Sequence, residues 1–216
     1  MNFPDLGHFR QLQADLWKWP KSRAVAMVGA GLSLNADALP GVTSPFPTWR
    51  QLARVMFDQL YPAEPNQTDE QAQRRDTRFA GANPLRLASE YEAAFGRGRL
   101  ESLIQEQVPD SDYQPGLLHT LLLELPWGDI FTTNYDTLLE RTEVRGRNYQ
   151  PVIKVEDLTI ASAPRIVKLH GSLPSQTPFI ISEEDFRTYP RTFAPLVNSV
   201  QQALLEIQCA SFLSTG

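Results

Sequence analysis

The stretch Ala24-Val25-Ala26-Met27-Val28-Gly29-Ala30-Gly31-Leu32-Ser33 decides the fold. Its first five residues are apolar without a helical period, which predicts a short strand buried on both faces, as in a parallel sheet. The apolar run continues only to Leu32, too short to cross a bilayer. Gly29 and Gly31 lack Cβ atoms, so backbone N–H groups there can approach a phosphate closely. The pattern departs from G-x-G-x-x-G, with Leu34 at the third glycine and Gln51 where a dinucleotide site would carry an acid. No Gly-Lys-Ser/Thr follows, which excludes a P-loop NTPase. A phosphate cradle and a plain strand-to-helix turn stay equally open on these residues alone.

Outward from this strand, helical and strand signals alternate. Leu6, Phe9, Leu12 and Leu16 predict an amphipathic helix over Phe3–Trp19, stopped by Pro20. Thr48-Trp49-Arg50-Gln51 predicts a capping box opening a helix with Leu52, Val55, Met56 and Leu60 on its apolar face. From Pro62 to Asn83 the chain is polar and reads as a mobile loop or loose helix. Helical patterns return at Pro84–Phe95, Leu100–Val108 and Pro115–Leu125. Strands are predicted at Asp129–Thr133, Asn148–Val155, Arg165–Leu169 and from Cys209, with a brief helix at Asp136–Arg141 and a long one over 193–207. The alternation predicts an open α/β sheet with a helical insertion at about residues 45–125.

Three predicted strands end in small or polar residues: Gly29 to Ser33, Thr132-Thr133-Asn134-Tyr135-Asp136, and His170-Gly171-Ser172. Ligands of open α/β sheets bind outside the carboxyl ends of the strands, so neighbouring strands would bring these segments to one crevice. Asn134 can donate and accept at once. Asp136 has two readings, a ribose hydroxyl partner or a helix cap. Of three histidines, His8 falls on the first helix and His119 inside an apolar helix. His170 follows a strand and precedes a glycine, where an imidazole can accept a proton near neutral pH.

Composition narrows the class. The chain has 216 residues, 42% of them apolar, enough for one domain with a sizeable core. The single cysteine, Cys209, excludes an internal disulfide and a Cys-rich zinc site, and fits a reducing, cytoplasmic setting. A net charge of −5 argues against coating nucleic acid, and the short Arg74-Arg75 and Arg97/Arg99 clusters are flanked by acids. Neither a secretion signal nor a membrane span is expected.

At these residues the chain resembles the sirtuin (silent information regulator) superfamily. Gly29-Ala30-Gly31-Leu32-Ser33, Thr133-Asn134-Tyr135-Asp136 and Lys168-Leu169-His170-Gly171-Ser172 stand in that family's order. Phe46-Pro47-Thr48-Trp49 with Leu52, and Ile181-Ser182-Glu183-Glu184-Asp185-Phe186, resemble the bacterial sirtuin-like domains of anti-phage defence proteins. The resemblance covers roughly residues 22–208. It implies a Rossmann-like parallel sheet and a site for NAD as substrate. Gly29, Ala30, Gly31 and Ser33 would lie near the phosphates, Asn134 and Asp136 near ribose and nicotinamide, Thr133 would also contact NAD, and His170 would act as base.

Two departures separate the branches. Zinc-ribbon cysteines are missing between His170 and Cys209, and Leu39-Pro40-Gly41-Val42 stands where deacylating sirtuins carry Gly-Ile-Pro-Asp-Phe-Arg. Without a zinc module, half of an acyl-lysine cleft has no counterpart. The resemblance therefore implies a metal-free NAD+ hydrolase acting as an NAD-depleting effector in defence, in which Asn134 positions ribose and water. Its activity would be gated by self-association or a partner subunit. A silent NAD or ADP-ribose binding module is the alternative, and a zinc-free deacylase a third. Relatives of this branch continue beyond a strand like Cys209–Leu213, so the C-terminal part of the fold is expected to be shortened at Ser214-Thr215-Gly216.

Overall fold

The computed structural model describes residues 5–18, 22, 24–174, 179–206 and 209–213, with backbone alone at Glu206 and Cys209–Leu213. Strands are β1 Ala24–Val28, β2 Asp37–Ala38, β3 Tyr113–Gln114, β4 Asp129–Thr132, β5 Gln150–Val152, β6 Arg165–Lys168 and β7 Cys209–Leu213. Helices are α1 Leu6–Leu16, α2 Trp49–Leu60, α3 Asp69–Ala80, α4 Pro84–Phe95, α5 Arg97–Gln107, α6 Leu117–Glu124, α7 Glu183–Thr192 and α8 Ala194–Glu206.

Five strands form one parallel sheet in the order β5-β6-β4-β1-β7. This is the expected open, Rossmann-like α/β architecture. Alternate side chains feed two cores: Ala24, Ala26 and Ile130 pack on one face, Val25, Phe131 and Val167 on the other. Burial on both faces is why β1 reads as a continuous apolar run. Where β4 and β6 begin, the Arg165 guanidinium grips both carboxylate oxygens of Asp129, at 3.0 and 2.6 Å. That fork pins their register, Asp129 opposite Arg165.

The expected insertion is present, α2–α6 running between β1 and β4. Its own core gathers Leu52, Met56, Tyr91, Leu103 and Ile104 with Leu138 and Leu173, which come from loops at the sheet's carboxyl edge. The capping box of α2 forms as read, with Thr48 N–H donating to Gln51 Oε1 (2.7 Å) and Gln51 N–H to Thr48 Oγ1 (3.3 Å).

Three local expectations are corrected. The polar 62–83 segment holds a full helix, α3, started by a second capping box between Thr68 and Gln71 and laced by Arg74 to Glu70 at 2.6 Å. No residue of α3 is buried, so hydrophobic periodicity could not reveal it. Asp136–Arg141 forms turns rather than a helix. The glycine segment enters a single 3-10 turn, Ser33–Asn35, not an α-helix, and then β2, which pairs antiparallel with β3. The long helix expected over 193–207 is α8, preceded by α7, whose first turn is capped by Ser182. Phe3, Trp19, Pro20, Ile207 and Ser214–Gly216 lie outside the described residues.

Candidate active site

β1, β4 and β6 are neighbours, so the segments following them meet at one edge of the sheet. The cleft there has a volume of about 240 Å³. Ala30, Ser33, Thr133, Asn134, Asp136 and His170 supply its sheet side, and Phe46, Pro47, Trp49, Leu52 and Phe186 its apolar side. Polar groups confined to one wall of an apolar pocket are the usual build of a small-molecule site.

Asn134 sits at the centre, only 8% exposed. Its Nδ2 donates to the Gly29 carbonyl (3.1 Å) and to Ser33 Oγ (2.9 Å). Its Oδ1 is buried and has no hydrogen-bond partner. A buried acceptor without a donor is costly and points to a missing partner, a water or a ligand. Ser33 Oγ in turn donates to Asp136 Oδ2 at 2.6 Å, and Leu138 N–H donates to Asp136 Oδ1 at 3.2 Å. Both carboxylate oxygens of Asp136 are thus engaged inside the protein. Through Ser33 they fix the orientation of the Asn134 amide.

His170 follows β6. Its ring meets the Phe186 ring edge-on at 5.0 Å, and Tyr189 stands beyond at 6.2 Å. Burial pulls the imidazole down to about 4, so at neutral pH it is uncharged. Gly171 has φ +97°, a left-handed conformation disfavoured for residues with a Cβ, and it turns the chain away directly behind His170. The Ile180 N–H donates to the His170 carbonyl at 3.0 Å, tying the histidine's backbone to the segment before α7.

The glycines behave differently from the expectation. Gly29 and Gly31 do not line the cleft; their carbonyls accept from the Asn134 and Asn35 side chains. Thr133 lines it, while its N–H donates to the Val28 carbonyl at 3.3 Å. His119 is buried, its Nδ1 accepting from Gly116 N–H at 3.2 Å, and burial pushes it below the usual histidine range. It is a packed residue that opens α6; His8 is exposed. Sequence reasoning missed the apolar wall, because Phe46, Trp49 and Phe186 carry no chemistry of their own. Their signal was position, flanking the capping boxes of α2 and α7. It also missed Lys168, fully buried behind the cleft. Among the described residues no group of three or more His, Cys, Asp or Glu side chains could hold a metal ion, and no helix is long and apolar enough to cross a membrane.

Comparison with known proteins agrees with the resemblance. Residues 128–216 match the SIR2-like domain family. Defense-associated sirtuin 2 of Bacillus subtilis is 23% identical over 201 residues, covering 90% of this chain and 18% of that protein. NAD(+) hydrolase ThsA of Acinetobacter baumannii is 29% identical over 185 residues, 82% of this chain and 33% of that protein. NAD(+) hydrolase ThsA of Cytobacillus dafuensis is 25% identical over 174 residues, 78% of this chain and 30% of that protein. The chain spans a third or less of the length of these relatives. The family match contains two of the three motifs, Thr133–Asp136 and Lys168–Ser172, and so agrees with the sirtuin-like resemblance there.

Proposed function

We propose that this chain, sirtuin-like by its motifs and by the match over residues 128–216, is an NAD+ hydrolase domain serving anti-phage defence. The observation that carries the chemistry is Asn134: a buried amide, oriented by two donated hydrogen bonds, whose acceptor oxygen has no partner at the wall of a cleft shared with His170. The names of the relatives, a defence sirtuin and two NAD(+) hydrolases, support the same reading.

In this reading the cleft takes the nicotinamide riboside end of the dinucleotide, the flat ring against the aromatic wall and the ribose toward Asn134. The bond from ribose C1′ to the pyridinium nitrogen breaks, and its electron pair neutralises the ring, so nicotinamide leaves without an acid. Asn134 Oδ1 accepts a hydrogen bond from the incoming water or a ribose hydroxyl. Water adds to C1′ of the oxocarbenium-like centre, and its proton passes to the neutral His170 and then to solvent. ADP-ribose, nicotinamide and one proton result. Such a base contributes ~10²–10⁴-fold in rate. In this reading Ser33 and, through it, Asp136 hold the Asn134 amide, whereas the resemblance placed Ser33 near the phosphates and Asp136 near the ribose.

We read the chain as one domain whose helical insertion roofs the cleft. Depletion of NAD would need gating by the remainder of a larger assembly or by self-association. One observation favours a second reading, a binding module without turnover: an imidazole near 4 is a weak base. The test is NAD consumption by the purified chain beside Asn134→Ala and His170→Ala. Loss of nicotinamide release on the order of 100-fold or more in each variant is expected. Unchanged rates in both would remove these two residues from the chemistry, and calorimetric NAD binding with no release by the parent would establish the module.

A further inference from the structure

Lys168 ends β6, two residues before His170, and is completely buried. Its Nζ donates to the backbone carbonyl of Asp136 and stands 2.9 Å from Glu140 Oε1. Both partners belong to the loop after β4, the loop that carries Asn134. Beyond the strands, backbone bonds also join the segments, Leu173 N–H donating to the Tyr135 carbonyl at 2.8 Å. Residues 133–137 are irregular and turns follow only from Leu138, so no helical ladder holds Asn134 in place. A buried ammonium needs a counter-charge and acceptors for its protons. Here Glu140 supplies the charge and the Asp136 carbonyl an acceptor. Burial holds the Glu140 carboxyl above the usual carboxylate range, with the neighbouring ammonium pulling against it.

We infer that Lys168 is a positioning residue: its side chain, balanced by Glu140 and bonded to the Asp136 carbonyl, sets the Asn134 loop against the strand that presents His170. A line of contacts runs from Glu140 through Lys168 to the Asp136 backbone, and from the Asp136 carboxylate through Ser33 to the Asn134 amide. Losing the lysine bond frees the middle of that line. The catalytic consequence rests on the hydrolase reading; the placement of the loop does not.

The experiment compares the 216-residue chain with Lys168→Met, Glu140→Gln and the double variant. Lys168→Met alone strands a buried carboxyl and lowers the melting temperature. The double variant removes both charges at similar volume and regains parental melting, yet it still lacks the bond to Asp136. Hydrogen exchange at the amides of Leu138 and Leu173 is expected to rise about tenfold or more in the double variant, with Ile130 and Phe131 unchanged. Nicotinamide release should lose kcat on the order of 100-fold while KM holds within about threefold, the signature of misplaced catalytic groups. Parental protection at Leu138 and Leu173, or kcat recovering together with melting temperature, would overturn the inference. If the double variant does not fold, Glu140→Gln decides. It keeps the Lys168 bond to Asp136 while removing its counter-charge, so exchange at those two amides rising no more than at Ile130 and Phe131 supports the inference, and a selective rise at them overturns it. A parent that releases no nicotinamide sinks the hydrolase reading and leaves the exchange result to judge the lysine.

Discussion

The loops after β4 and β6 and the outer helix α3 are both built of polar and charged residues, but these groups act in opposite ways. On the outer face of α3 the charges face water: Arg74 and Glu70 pair with roughly three quarters of each side chain exposed. Such a pair adds only ~0.3–0.5 kcal/mol, and the helix leans instead on its cap and on Arg75, which reaches Asp58 of α2. At the strand ends, Asn134, Asp136, Ser33 and Lys168 are all buried and linked to one another. Buried polar groups are costly unless satisfied, so a network of this kind adopts one arrangement or fails. The same residue types give tolerance in one place and a fixed geometry in the other.

Acid is the strongest way to break the contrast. His170 is held near 4, below its value of ~6.5 in an unfolded chain. Between those values the unfolded state binds the extra proton, so stability rises with pH through this window and is complete above it. The depression corresponds to about 3 kcal/mol, lost as pH falls from about 6.5 to 4. Denaturation midpoints from pH 4 to 7 should slope more steeply in the parent than in His170→Asn. Parallel slopes would mean that the imidazole is not desolvated. Activity, by the same logic, should hold down to about pH 5 rather than fall near 6.5.

Arg97 sharpens the comparison at an intermediate effect. It lies on α5 and is about one third exposed, bonding Asp185 at the start of α7 (2.7 Å), Glu101 (2.7 Å) and the Phe179 carbonyl. Arg97→Ala should cost about 2 kcal/mol in urea unfolding, less than a fully buried pair and far more than Arg74→Ala. Equal effects at the two arginines would contradict the role given to burial. The smallest expected change is Thr68→Ala, which removes the α3 cap and costs about 1 kcal/mol. Exchange should quicken within α3 while nicotinamide release stays parental; altered release would couple α3 to the cleft.

How far each region was legible follows from the same physics. β1 and the α2 cap could be read because a short apolar run and the T-x-x-Q spacing are local signals. The α3 cap carries that spacing too, at Thr68 and Gln71, but no apolar stripe follows it. Within the site, Asn134 and His170 were legible as polar residues directly after apolar strands. Gly29 and Gly31 take no left-handed conformation and do not line the cleft, whereas Gly171, directly behind His170, does need φ +97°.

By itself the sequence determined the parallel α/β class, the helical insertion and the three strand-end segments that hold the candidate chemistry, because periodicity, caps and strand ends are written in neighbouring residues. Only the tertiary structure decided that Asp136 serves Ser33, that Lys168 ties β6 to the loop after β4, and that His170 loses its affinity for protons. Hydrogen bonds between residues a hundred positions apart, and desolvation by whatever packs around a side chain, exist only once the strands are side by side.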